Sequence, residues 1–169
     1  MKILEASENC IDAILTLCKN CSEHMIDQGI DQWDEVYPNK AVFLEDIRTK
    51  SLFLAGSPNI SEHIMGCIVL NEHQDPEYEM VNWQYTSEKI AVIHRLMVDP
   101  LYQRQGIAQH LMSYAENVAS ERKYGAIRLD TFIENEPAIR FYKKRGYEAV
   151  GNVFFRKGKF LCFEKRLSS

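Results

Sequence analysis

The segment Val98-Asp99-Pro100-Leu101-Tyr102-Gln103-Arg104-Gln105-Gly106-Ile107-Ala108 holds the residue types for one recognisable chemistry, the capture of an anion by main-chain donors. It links an apolar run, stopped by Asp99-Pro100, to a helical pattern that begins at Gly106. The first turn of a helix leaves its N–H groups without intrahelical partners and carries partial positive charge, so a phosphate placed there meets both donors and a favourable dipole. Gly106 lets the main chain approach closely. The loop lacks the Gly-Lys-Ser/Thr ending of a P-loop and has no G-x-G-x-x-G, which disfavours NTP hydrolysis and hydride transfer. The charge of the chain leans the same way: residues 1–99 hold 17 acids and 7 bases, residues 100–169 hold 7 acids and 13 bases. An anionic ligand is expected for the second part and a cationic one for the first.

The elements that must position this loop are read from periodicity. Lys2–Ala6 reads as a strand, and Ser7 caps a helix with Ile11, Ile14, Leu15, Cys18, Cys21 and Met25 at helical spacing. An irregular stretch with Trp33 and Tyr37 leads to Pro38-Asn39, which opens a second helix through Phe43, Leu44 and Ile47. Ser51–Ala55 and His63–Leu70 flank the turn Gly56-Ser57-Pro58-Asn59 and predict a hairpin. Residues 71–89 read as a long acidic, aromatic loop. Ile90–Val98 is the most apolar strand, followed by a helix over Gly106–Lys123 ended by Gly125. Ala126–Phe132 is a strand, Pro137–Arg145 a short helix stopped by Gly146, and Tyr147–Phe155 with Phe160–Lys165 a final pair around Lys157-Gly158. The order βααβββαβαββ predicts a single α/β (α+β) domain over 1–169, with a mixed, mostly antiparallel sheet of about seven strands and helices on both faces.

A chain of 169 residues with 26% charged residues, 8 Gly and 5 Pro is long enough to bury a core and is neither disordered nor low-complexity. Every apolar run is broken by charge before it could span a bilayer, so no membrane association is expected. No secretory h-region follows Met1, and the five cysteines fit reduced thiols, so a cytoplasmic location is expected. Cys18-Lys19-Asn20-Cys21 falls in the body of a helix with no second pair, and reads as two core thiols rather than a redox or zinc site. His24, His63, His73 and His110 show no ligand spacing, so no metal is expected. The basic residues from Arg140 to Arg145, with Arg156, Lys157 and Lys159, lie in a net-acidic chain and make nucleic acid a weak candidate partner.

Two motifs resemble one family. Gln103-Arg104-Gln105-Gly106-Ile107-Ala108 resembles the Q/R-x-x-G-x-G/A signature of the GCN5-related N-acetyltransferases, the GNAT superfamily, with Ala108 in place of the commoner glycine. Asn135-Glu136-Pro137-Ala138-Ile139-Arg140-Phe141-Tyr142-Lys143-Lys144-Arg145-Gly146-Tyr147 resembles the family's N-x-x-A-x-x-F-Y-x-x-x-G-F/Y segment, at the right distance downstream. The close resemblance covers about Ile90 to Gly151.

The resemblance implies acetyl-CoA as co-substrate, its pyrophosphate against the N–H groups of Arg104 to Gln109. It implies that the strand at Leu96–Val98 splays from the one at Ile127–Thr131, with the pantetheine arm in the gap bonded to backbone near Met97 and Val98. One such N–H would support the oxyanion. It assigns Asn135 to the pantetheine chain, Ala138 to the same segment, Tyr142 to protonation of the departing thiolate, and Lys143, Lys144 and Arg145 to nucleotide phosphate. The glutamate that serves as base in the histone-acetylating branch aligns to Val92, which cannot accept a proton. His94, on the same strand face, is the candidate base, with Glu72 and Glu79 as rivals and water as a further acceptor. Trp33, Glu72, Glu79 and Trp83 are candidates to line an amine pocket. The implied function is acetyl transfer to a small cationic amine or peptide N-terminus by direct attack in a ternary complex; the alternative is a non-catalytic acyl-CoA-binding or regulatory module. A homodimer is left open.

Overall fold

The run Leu52-Phe53-Leu54-Ala55 has no polar alternation, and a strand of that kind is stable only where both faces are covered. All five residues of that strand are buried. The computed structural model describes residues 1–56, 63–86 and 88–167; residues 57–59 of the expected turn lie outside them. Its elements are β1 (Lys2–Glu5), α1 (Ile11–Asp27), α2 (Lys40–Arg48), β2 (Leu52–Gly56), β3 (Ile64–Asn71), β4 (Ile90–Val98), α3 (Ile107–Glu121), β5 (Ala126–Phe132), α4 (Glu136–Lys144), β6 (Glu148–Phe155) and β7 (Gly158–Arg166). The expected order of elements holds throughout. The seven strands form one open sheet in the order β1-β2-β3-β4-β5-β7-β6. β1/β2, β2/β3, β5/β7 and β6/β7 are antiparallel, and β4 runs parallel to β5, a pairing that needs the crossover α3 supplies.

The helix starts differ in instructive ways. Ser7 does not cap with its side chain; a short 3₁₀ turn over Glu8–Cys10 precedes α1, and the Cys10 N–H donates to the Ser7 carbonyl. Asn39 caps α2 as its type predicts, its side chain accepting from the Val42 N–H at 3.0 Å. Asn135 does the same for α4, accepting from the Ala138 N–H at 3.2 Å.

The chain packs as two compact units, Met1–Leu70 with Arg95–Ala115 and Asn71–His94 with Glu116–Ser169, and β4 and α3 lend residues to both. In the first, α1 and α2 bury Ile14, Leu17, Phe43 and Ile47 against Leu52, Leu54, Cys67 and Val69, with Trp33 packed at the margin. Each such aliphatic or aromatic side chain contributes roughly 1.5–3 kcal/mol. Cys18 and Cys21 sit in this core as free thiols, which agrees with their reading as core residues.

In the second unit, residues 71–86 are stitched to the sheet rather than hanging from it. A 3₁₀ turn over Pro76–Met80 buries Tyr78. Arg128 of β5 donates to Gln74 Oε1 at 2.7 Å and to the Tyr85 carbonyl at 3.0 Å, and its guanidinium lies 4.3 Å from the Trp83 ring centre. The buried Glu164 of β7 accepts from the Gln84 N–H at 2.7 Å. These side chains take loop groups in place of solvent, although Arg128 Nε and Glu164 Oε2 are buried without a partner among the described residues.

Candidate functional site

In the first unit the anion loop has the conformation its chemistry asks for. Asp99 Oδ1 accepts from the Leu101 N–H at 2.9 Å, starting a 3₁₀ turn over Pro100–Tyr102. Two left-handed residues follow, Arg104 at φ +64° and Gly106 at φ +79°. The space around Gly106 is open, with only His110 Cδ2 at 3.9 Å from a notional Cβ, so glycine is favoured there by φ and not by crowding. Helical bonding begins with the His110 N–H donating to the Gly106 carbonyl at 3.0 Å, so the helix itself does not use the N–H groups of Ile107 and Ala108. Gln103, Arg104, Gln105, Gly106 and Gln109 are exposed, Ala108 half-buried and Ile107 anchored in the core.

The strand that leads into this loop is kinked. Arg95 has φ +49°, a left-handed conformation that costs an L residue roughly 1–2 kcal/mol. Beyond it, the Asp99 N–H donates to the Met65 carbonyl of β3 at 2.7 Å. Alternation along the strand then turns the N–H of Val98, like that of Leu96, away from β3, while Met97 faces it. The kink has no local signature, because arginine carries no preference for positive φ.

In the second unit, β5 is registered with β4 at Ile90↔Ala126, Ala91↔Ile127 and Val92↔Arg128, and with β7 along its whole length to Phe132↔Phe160. Tyr142 of α4 is buried among Phe141, Tyr147 and Phe163, with ring centres 5.4–5.9 Å away. Burial first, and the charge of Asp130 second, push its phenol above the ordinary value, so the hydroxyl stays protonated at neutral pH. No residue among those described hydrogen-bonds that hydroxyl.

Asp130 is the acid that the sequence reading passed over. It accepts from the Tyr78 hydroxyl at 2.5 Å. Burial raises its carboxyl to about 6, against the lowering effect of that hydrogen bond, and the charges of Asp75 and Glu77 add to the rise. Paired residues of an antiparallel ladder share a face, so Asp130 lies with its partner Cys162, and Leu129 with Phe163 on the other. Tyr142 of α4 packs on Phe163, the ladder partner of Leu129. Burial, and then the Asp130 charge, raise the Cys162 thiol to about 12, which fits that placement. A lone carboxylate in an otherwise well-buried strand was the available signal.

The remaining expected residues are distributed differently. His94 donates from Nε2 to Asn71 Oδ1 at 2.9 Å and to the His73 carbonyl at 3.1 Å; both partners are acceptors, which sets the proton on Nε2. Trp83 gives its indole N–H to the Tyr78 carbonyl at 2.9 Å and stacks on Arg128. Glu72 accepts from the Tyr124 hydroxyl at 2.7 Å and lies 3.7 Å from Lys89 Nζ, and Glu79 is exposed. Arg145 is paired with Glu116 at 2.9 Å, beside the Tyr147 hydroxyl, whereas Lys143 and Lys144 are exposed. Among the described residues no cluster of His, Cys, Asp or Glu could hold a metal ion, and no helix is long and apolar enough to cross a membrane.

Comparison with known proteins adds a family match, two relatives and two solved structures. A family model described as "Acetyltransferase (GNAT) family" matches residues 18–147. Streptothricin acetyltransferase from Escherichia coli is 26% identical over 133 residues, 78% of this chain and 69% of that protein. An uncharacterized N-acetyltransferase from Methanocaldococcus jannaschii is 38% identical over 69 residues, so the match spans only 30% of that relative's length and 40% of this chain. Among solved structures, a GNAT-family acetyltransferase from Streptococcus agalactiae superposes with a TM-score of 0.85 at 21% identity, over 99% of this chain and 96% of that one. The ribosomal-protein-S18-alanine N-acetyltransferase from Escherichia coli does so with a TM-score of 0.70 at 14% identity, over 99% and 94%. At those identities the likeness is one of fold.

Proposed function

The chain belongs to the GNAT acetyltransferase family, and on that premise we propose that it transfers an acetyl group from acetyl-CoA to a primary amine by direct attack. The family uses acetyl-CoA generally and acts on amines or peptides. When bound, the co-substrate supplies an acyl group already activated as a thioester. The residues present fit it: the first turn of α3 offers N–H groups that the helix does not consume, at the exposed end of a loop bent by Arg104 and Gly106. That arrangement is the single observation that carries the reading, since main-chain donors at a helix N-terminus recognise a pyrophosphate whatever the side chains are.

The catalytic roles follow from protonation states. The amine attacks the carbonyl carbon as the C–S bond breaks, losing one proton on nitrogen while the sulfur gains one. Asp130, raised to about 6, is ionised at neutral pH yet basic enough to take the amine proton. Tyr142 holds its proton and has it available for the departing thiolate. The N–H of Val98, turned away from β3, serves the oxyanion. Asn135, whose side-chain oxygen caps α4, sits at the position assigned to the pantetheine chain. His94 is then a holder of the loop start through Asn71 and His73 rather than the base. The acids that surround Asp130, Asp75 and Glu77, favour a cationic acceptor, either a small amine or a peptide N-terminus. Thiol release from acetyl-CoA across a panel of polyamines, amino sugars and peptide N-termini tests the reading. Turnover with at least one amine is expected, and tight acetyl-CoA binding without turnover on any would leave a binding module instead.

A further inference from the structure

One side chain of the first unit is bonded far more completely than a strand residue needs. Arg95 donates from Nε to Asp46 Oδ2 at 2.7 Å, from Nη2 to Asp46 Oδ1 at 2.6 Å and from Nη1 to the Tyr37 hydroxyl at 2.7 Å. The side chains of Arg95 and Asp46 are only 9% and 5% exposed. Drawing both charges out of water costs about as much as their attraction returns, so stability alone is a weak reason for a fork this deep. Its place in the chain supplies a better one. Arg95 is the residue at φ +49° in β4, immediately before Leu96–Val98.

The main chain around it is held as closely. Cys67 Sγ donates to the Arg95 carbonyl at 3.5 Å, and Cys21 Sγ donates to the Val98 carbonyl at 3.2 Å. Burial raises both thiols, Cys21 to about 12, so each keeps the proton it donates. Gly66 of β3 lies so near the Met97 carbonyl that a Cβ would stand 2.6 Å from its oxygen. The kinked segment is thus fixed by α1, α2 and β3, largely through side chains.

We propose that the Asp46–Arg95 fork is a positioning device that holds the left-handed kink of β4, and through it aims the Val98 N–H at the acyl oxygen. This rests on the acetyl-transfer reading above. Asp46 and Arg95 are positioning residues, since they act through the main chain and not on reacting atoms. The charge of Asp46 is needed because an amide would accept from one edge of the guanidinium and leave a buried cation uncompensated.

The test separates the kink from the pair that holds it. Arg95→Ala loses the fork and still bears the cost of positive φ that arginine bears, whereas Arg95→Gly loses the fork but adopts that φ freely. We expect kcat with acetyl-CoA to fall about tenfold or more in Asp46→Asn and Arg95→Ala, and Arg95→Gly to recover about fivefold over Arg95→Ala, the factor that corresponds to the cost of positive φ. Melting temperatures are read alongside. Leu54→Ala, fully buried in β2, is the control that loses stability while kcat at 25 °C stays unchanged. Equal kcat in Arg95→Gly and Arg95→Ala, or an Asp46→Asn enzyme whose kcat matches the wild type, overturns this inference alone. A wild type that neither binds acetyl-CoA nor releases its thiol overturns the acetyl-transfer reading, and this inference with it.

Discussion

The loop at the head of α3 and the strand that carries Asp130 handle charge in opposite ways. The loop presents fixed main-chain dipoles, set by two left-handed residues, Arg104 and Gly106, and indifferent to pH. Asp130 and Tyr142 are side chains whose protonation is set by burial, one raised to about 6 and the other held protonated. The contrast teaches where each region is vulnerable. The proposed binding site, built on backbone conformation, fails when φ is disturbed, and the proposed acid–base pair, built on desolvation, fails when a proton is misplaced.

Substitutions can therefore break the comparison from either side. Asp130→Asn has the largest expected effect, a fall in kcat of roughly 10³-fold with acetyl-CoA affinity retained, within the range for loss of a general base. Tyr142→Phe follows with roughly 10²-fold, because water can still protonate a thiolate that is already a fair leaving group. Isothermal titration should show acetyl-CoA affinity nearly unchanged in both. Gly106→Ala should do the reverse: at φ +79° a Cβ is strained, so acetyl-CoA affinity falls about tenfold while the pH profile keeps its shape. Trp83→Phe is the smallest, costing about 1 kcal/mol through the bond to the Tyr78 carbonyl and leaving KM for the amine where it was. A raised amine KM in that variant would return Trp83 to the acceptor pocket.

Legibility in the sequence tracked distance along the chain. The element order, the bent loop before α3 and the start of α2 at Asn39 are local patterns of period, Gly, Pro and Asn, and they were readable as such, whereas the α4 cap at Asn135 was not. Asp130 is defined by Tyr78, 52 residues earlier, and the kink at Arg95 by Asp46, 49 residues earlier. Nothing in a local window marks either pairing. His94 and Trp83 looked chemically apt for the same reason in reverse, since type and strand face were visible but the partners Asn71, His73 and Arg128 were not.

The raised carboxyl of Asp130 ties both folding and activity to pH. Folding is favoured while the group is protonated, so its contribution to stability declines as pH rises from about 4 to about 6. Its proposed use as a base runs the other way, being lost as pH falls through about 6. The sharpest test is accordingly the pH dependence of kcat for acetyl transfer in wild type and Asp130→Asn, followed by thiol release at saturating amine. The wild type should rise to a plateau with an apparent pKa near 6, and the residual rate of Asp130→Asn should lack that limb. An identical limb in both proteins would contradict the assignment of Asp130 as the proton acceptor.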